Sequence, residues 1–361
     1  MPPTATATMT AVLTGPTLAL PTHATVPVPQ RAPPSATRAK WVDDLERDGF
    51  VVIPGVASEA VALEFQEEAL RWLEKFPYGF KRDDRTTWDD AHMPYSQKGG
   101  MYNRYSVNHE AFVWKIRTQP GVIDAFAQIY GTDDLIVSFD GMNASLPINK
   151  EHGRVDIEPV PAWPHIDQNP RRIDRFELYQ GIANLSPNGP DDGGLVVMRG
   201  SHLLHERHFA ERGGFRPEGD FGPTENSYRF DPDEWEWFKK AGCETVKVCA
   251  GVGDLIIWDS RTVHWNASPT GSQIRFCSYV CFVPRAIATP AQLAQKWKVF
   301  EARKGTSAFP HLNSCPVDRD RTKFPDALPL RPDGSLDPCH TGRPFVEPEY
   351  TPALLRLVGR A

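Results

Sequence analysis

Among eleven histidines one opens an H-x-D triplet, in Trp163-Pro164-His165-Ile166-Asp167-Gln168. Residues i and i+2 of a strand point to the same face, so an imidazole and a carboxylate would be offered side by side to one metal ion. A third donor follows 97 residues after Asp167, where the apolar run Leu255-Ile256-Ile257-Trp258-Asp259 leads to His264. Two histidines and one carboxylate on one face of a metal leave three positions open, the arrangement used by non-haem iron(II) oxygenases. Eleven residues further on, Arg275 opens the apolar stretch Arg275-Phe276-Cys277-Ser278-Tyr279-Val280. A guanidinium in such a strand calls for an anion, and its fork matches a carboxylate bidentately. Each residue also has an ordinary reading: a polar pair at a strand edge, a core histidine, a structural salt bridge.

A second metal candidate is His202, His205 and His208, spaced every three residues. That spacing drifts around a helix of 3.6 residues per turn and lacks the general base of H-E-x-x-H, so a surface or loop histidine cluster is the expectation. Gly251-x-Gly253 has no third glycine and no β-α-β context, which excludes the dinucleotide fingerprint. A formal net charge of −6 argues against a nucleic-acid binder. No run approaches about 18 consecutive apolar residues, so no membrane span is expected. Six cysteines without a C-x-x-C pair suggest reduced thiols and a cytoplasmic protein with a small-molecule partner. Nothing in the sequence specifies an oligomeric state.

The elements that must position these residues are mostly strands: Leu135–Phe139, Trp163–Asp167, Glu177–Leu185, Gly194–Met198, Thr245–Val248, Leu255–Asp259 and Arg275–Val283. Helices are expected after Lys40, after the N-cap Ser58, over 109–130, after Asp231-Pro232 and after Thr289-Pro290. Tyr78–Tyr105 has no clear period and reads as a long functional loop, a candidate lid. Residues 1–37, rich in Ala, Thr and Pro, are expected to be disordered, 38–304 to form one domain, and 305–361 to wrap it as a proline-rich tail. Strands without regular β-α alternation imply an antiparallel barrel or sandwich with helices outside.

The order and spacing of these motifs resemble the phytanoyl-CoA dioxygenase-like branch of the iron(II)/2-oxoglutarate oxygenases. The resemblance runs from about Lys40 to Pro284 and includes Asp48-Gly49-Phe50-Val51-Val52-Ile53-Pro54-Gly55-Val56 and Gly193-Gly194-Leu195-Val196-Val197-Met198-Arg199-Gly200-Ser201-His202. The second segment departs from the family pattern at Arg199, where proline is usual.

The resemblance implies a mainly β fold with flanking helices, a cupin-like jelly roll or double-stranded β-helix. It implies Fe(II) held by His165, Asp167 and His264, with 2-oxoglutarate and O2 as cosubstrates. Arg275 would take the 5-carboxylate and Asn266 would assist by hydrogen bonding. Decarboxylation to succinate would then drive removal of a hydrogen atom from substrate, ending in hydroxylation, desaturation or ring closure. A retained Asp167, small in halogenating relatives, points away from chlorination. The expected substrate is a natural-product or amino-acid-derived small molecule. Trp163, Gln168, Trp265 and Arg171 are candidate contacts, with Arg172 and Arg104 as further carboxylate binders. A jelly roll that binds without catalysis and a metal-dependent hydrolase are the competing readings.

Overall fold

The computed structural model describes residues 39–214 and 226–360; the head expected to be disordered lies outside the described residues. Thirteen strands occur among the described residues: β1 (Phe50–Ile53), β2 (Met101–Tyr102), β3 (Leu135–Val137), β4 (Met142–Ser145), β5 (His165–Ile166), β6 (Tyr179–Asn184), β7 (Gly194–Met198), β8 (Tyr228–Arg229), β9 (Thr245–Lys247), β10 (Leu255–Asp259), β11 (His264–Ala267), β12 (Arg275–Tyr279) and β13 (Phe282–Pro284). Six form one antiparallel sheet in the order β1-β10-β6-β12-β4-β2, and five form a second in the order β8-β5-β11-β7-β9. The remaining pair, β3 and β13, is a separate ribbon.

Side-chain alternation sorts these sheets into layers. Ile182, Ile256, Trp258 and Cys277 of the larger sheet meet Leu195, Val197 and Val248 of the smaller in one buried cluster, the filling of the jelly roll. The opposite face of the larger sheet carries Tyr179, Ala183, Leu255, Ile257 and Phe276 into the main core. There it packs with residues of α2 (Glu59–Glu74), α3 (Ala111–Arg117) and α4 (Pro120–Tyr130), which follow α1 (Lys40–Asp48) in the chain. The outer face of the smaller sheet carries Ile166, Val196, Met198 and Trp265 against α5 (His205–Glu211) and α6 (Pro232–Lys240). Two further helices, α7 (Pro290–Glu301) and α8 (Pro352–Leu357), contribute Val299, Phe300, Leu354 and Leu357 to the main core, so the C-terminal segment shares the hydrophobic centre of the fold.

Local chemistry sets the helix ends. Ser58 Oγ accepts from Val61 N, and both Asp231 with Glu234 and Thr289 with Gln292 form capping boxes ahead of a first-turn proline. Gly49 closes α1 at φ +82, and a Cβ there would collide with Thr262 and His202.

Four expectations are corrected. The helix expected over 109–130 is two, because Pro120 lacks the N–H that a continuous helix needs and starts α4 instead. The strand expected over Arg275–Val283 is also two: β12 pairs with β4 and β6, whereas beyond Val280, whose N–H still donates to the Gly181 carbonyl of β6, the chain leaves that sheet and Phe282 pairs with Val137. The segment Tyr78–Tyr105 is not outside the core. It supplies β2 to the sheet edge and buries Phe80, Met93, Tyr102 and Tyr105. Last, His202, His205 and His208 do not lie at the surface: all three are buried.

Candidate active site

β11 runs between β5 and β7, and its register sets His264 directly opposite His165 on one side and Val197 on the other. His165, Asp167 and His264 each offer a ligand atom within 4.8 Å of the others, the one such group among the described residues. Asp167 Oδ1 lies 3.6 Å from His165 Nε2, and Asp167 Oδ2 lies 3.4 Å from His264 Nε2. The inner nitrogens decide what these contacts are. His165 Nδ1 faces the Trp163 carbonyl at 3.3 Å and His264 Nδ1 faces the Thr262 carbonyl at 2.8 Å. A carbonyl can only accept, so each Nδ1 carries the proton and each Nε2 presents a lone pair to Asp167.

Three electron-rich groups facing one another form a site for a cation. Burial and the neighbouring His264 push His165 down to about 3, which keeps it a neutral ligand. Burial alone would raise Asp167; the two imidazoles, in their protonated form, and the Gln180 amide act against it and hold the carboxyl below the usual range. Gln180 Nε2 donates to Asp167 Oδ2 at 2.8 Å and fixes the carboxylate plane. Asp167 retains 28% side-chain exposure against 9% and 4% for the histidines, so the open side of the site lies there. The donor set fits iron(II): nitrogen and carboxylate ligands on one face, with the remaining positions left for exchangeable groups.

Beside the triad lies a pocket lined by Lys98, Asn143, Trp163, Asn266, Arg275 and Tyr279, among others. Arg275, Cys277 and Tyr279 alternate onto the inner face of β12, and register places Ser145 and Asn143 of β4 beside Arg275 and Cys277. The Arg275 side chain is buried, its Nε has no hydrogen-bond partner, and its strongest electrostatic neighbours are Cys277 and Tyr279 instead of a carboxylate. Gly194 makes room for it: at φ +93, a Cβ on Gly194 would lie 2.7 Å from Arg275 Nε. A desolvated cation cradled in this way fits the distal carboxylate of 2-oxoglutarate. Asn266 Oδ1 is likewise buried without a partner, on the same lining.

The structure brings together some of the expected residues and not others. Trp163 is at the site: its indole stacks on His165 with centroids 4.2 Å apart and an interplanar angle of 16°. Trp265 points the other way, from the outer face of β11 onto Trp235. Gln168 is buried and committed, donating to the Arg172 and Arg175 carbonyls and accepting from Ser260 Oγ, so it braces the turn after the triad. Arg171 is exposed, Arg172 is bonded to Glu177 and Asn226, and Arg104 is bonded to Asn103 and the Asp326 carbonyl. His202, His205 and His208 do not converge: their Nε2 atoms face the Glu46 carbonyl, the Arg261 carbonyl and Glu234 respectively. Sequence reasoning missed Lys98, Asn143, Gln180 and Tyr279. Tyr279 was within reach, because the parity that turns Arg275 inward turns residue 279 inward too.

Comparison with known proteins places the chain in a family. A model of the family described as phytanoyl-CoA dioxygenase (PhyH) matches residues 45–277. "Ava biosynthesis cluster protein O" of Aspergillus versicolor is 38% identical over 272 residues, covering 75% of this chain and 86% of that protein. Among solved structures, EctD from S. alaskensis in its apoform is 14% identical, covers 73% of this chain and 83% of that one, and has a TM-score of 0.47. The epimerase SnoN, in complex with Fe3+, alpha ketoglutarate and nogalamycin RO, is 18% identical with a TM-score of 0.44, covering 68% of this chain and 82% of that one. With nearly two thirds of its length matched by the family model and a relative this similar, the chain belongs to the phytanoyl-CoA dioxygenase family.

Proposed function

We propose that this chain is an iron(II)- and 2-oxoglutarate-dependent oxygenase that oxidises a C–H bond of a small natural product or amino-acid-derived molecule. One observation carries the reading: the three convergent donors lie next to a pocket lined by the buried, carboxylate-free Arg275, with Trp163 belonging to that lining and stacking on His165. His165, Asp167 and His264 hold the metal, Arg275 with Tyr279 and Asn266 receives the cosubstrate, and the exposed side of Asp167 admits substrate. Bound together, the metal and 2-oxoglutarate would activate O2, which is the oxidant: one oxygen atom passes into succinate as carbon dioxide leaves, and the other oxidises the substrate C–H bond. The chain's own residues do the rest. Gln180 orients the carboxylate ligand, Trp163 and Trp258 wall the imidazoles with centroids at 4.2 and 5.4 Å, and the buried lining keeps bulk water from the reacting groups. The Aspergillus relative is named for a biosynthesis cluster, which supports tailoring of a secondary metabolite over breakdown of an acyl chain.

The test is anaerobic. Iron(II) followed by 2-oxoglutarate should give the weak visible charge-transfer band of a chelated 2-oxo acid. Asp167→Ala should abolish the band while thermal unfolding stays cooperative. A folded wild-type protein that binds iron yet gives no band would overturn the assignment.

A further inference from the structure

One wall of the pocket is supplied by a tight turn far from the metal ligands in sequence. Gln97 and Met101 exchange both main-chain hydrogen bonds at 2.9 Å, and the three residues between them, Lys98, Gly99 and Gly100, have φ of +51, +74 and +151. A Cβ on Gly100 would collide with Ser145 in the pocket lining, so the turn lies flat against β4. It sets Lys98 Nζ 3.0 Å from the centroid of Trp163, whose other face stacks on His165. A left-handed lysine is a strained choice, costing about 1–3 kcal/mol unless its surroundings enforce it.

The enforcement comes from the C-terminal segment through a closed ring of hydrogen bonds. Asp326 Oδ2 accepts from Gln97 Nε2 at 2.9 Å, and Gln97 Oε1 accepts from Asn103 Nδ2 at 3.1 Å. Asn103 Oδ1 accepts from Arg104 Nη1 at 2.7 Å, and Arg104 Nη2 returns to the Asp326 carbonyl at 2.7 Å. Tyr95 adds a hydroxyl to Asp326 Oδ2 at 3.3 Å. A second clamp lies alongside: Asp337 accepts from the Tyr78 and Tyr105 hydroxyls, and Arg331 covers the Tyr78 ring at 3.4 Å while donating to the Met93 and Ala91 carbonyls. The segment expected to be a lid is tied down at both ends.

We propose that Asp326 is a positioning residue of the active site: through Gln97 it fixes the Lys98 turn as a standing wall of the cosubstrate pocket. The C-terminal segment is thereby part of the active site without touching it, and the pocket is formed before its ligand arrives. The consequence for 2-oxoglutarate rests on the function proposed above; the mechanical link from Asp326 to the turn does not.

The experiment compares full-length wild type, Asp326→Ala and Asp326→Asn by amide hydrogen exchange and by anaerobic 2-oxoglutarate titration of the iron-loaded protein. Losing two side-chain hydrogen bonds, Asp326→Ala should speed exchange of the Gln97 and Met101 amides about tenfold and weaken 2-oxoglutarate by about five- to tenfold, with iron affinity within about twofold of wild type. Asp326→Asn keeps an oxygen for Gln97 and should restore both readouts. Faster exchange with unchanged 2-oxoglutarate binding overturns this inference alone, as does an Asn variant that behaves like Ala. A wild type that binds no 2-oxoglutarate overturns the proposed function and the pocket's role with it, while amide exchange that Asp326→Ala leaves unchanged overturns the link from Asp326 to the turn.

Discussion

Replacing Arg275 by methionine separates a residue kept for a ligand from one kept for the fold, because the two roles give opposite signs. In the free protein the guanidinium is 3% exposed, with an unpartnered Nε and no carboxylate among its strongest electrostatic neighbours. Its desolvation cost is met only by Cys277 and Tyr279, which are neutral near pH 7, and by no carboxylate, so ligand-free Arg275→Met should unfold at or above the wild-type temperature. With ligand the order reverses. At a concentration of 100 Kd, 2-oxoglutarate stabilises wild type by about 2.7 kcal/mol. An unfolding entropy of about 2.1 cal/mol/K per residue makes that roughly 3–4 °C for a chain of this length. Removing one partner of a buried charge pair costs about 3 kcal/mol, more than a hundredfold in affinity, which puts the same concentration below the variant's Kd. The shift should then shrink to under about 1 °C. Differential scanning fluorimetry of the iron-loaded protein under argon reads both numbers. A variant that keeps the full shift, or that melts several degrees lower without ligand, would refute the argument.

Other outcomes follow from the same geometry. Gln180→Leu removes the donor to Asp167 Oδ2 and should weaken iron about 10- to 100-fold, read by metal titration against a competing chelator. Gly194→Ala places a methyl 2.7 Å from Arg275 Nε at φ +93; it should raise the 2-oxoglutarate requirement while leaving iron affinity within about twofold. Burial pushes His205 down to about 3, so below the unfolded value near 6.5 the unfolded chain takes up a proton that the folded one refuses. Stability should therefore fall with pH between about 6.5 and 3, and His205→Gln should flatten that decline by about 1.4 kcal/mol per pH unit in chemical denaturation. Parallel curves for variant and wild type would remove His205 from the account.

Strands with an apolar face were legible in the sequence. Gly194–Met198 and Leu255–Asp259 appear in the structure with the expected bounds. Met142–Ser145 and His264–Ala267 were not foreseen, because their inward residues, Asn143, Ser145, His264 and Asn266, are polar: three line the pocket and His264 joins the triad, which inverts the usual pattern. The triad was legible from residue type and local parity. The same parity, applied one residue past His264, turns Trp265 to the outer face, and applied four residues past Arg275 turns Tyr279 inward. Lys98 and Asp326 could not be found this way, since a turn with left-handed residues and a ring closed across 229 positions leave no local period.

The direct opposition of His165 and His264 has a consequence for how the protein comes to hold its metal. The two rings, 99 positions apart in the chain, meet only when β5 and β11 are paired in one register. A slip of a single residue on β11 would turn His264 out toward the helices and leave Asp167 with one partner, and a slip on β5 would turn His165 and Asp167 out together. Ligation of iron would therefore reward the correct register: a barrel closed out of register has nowhere to put the ion, and the energy of ligation would go to the correctly closed one alone.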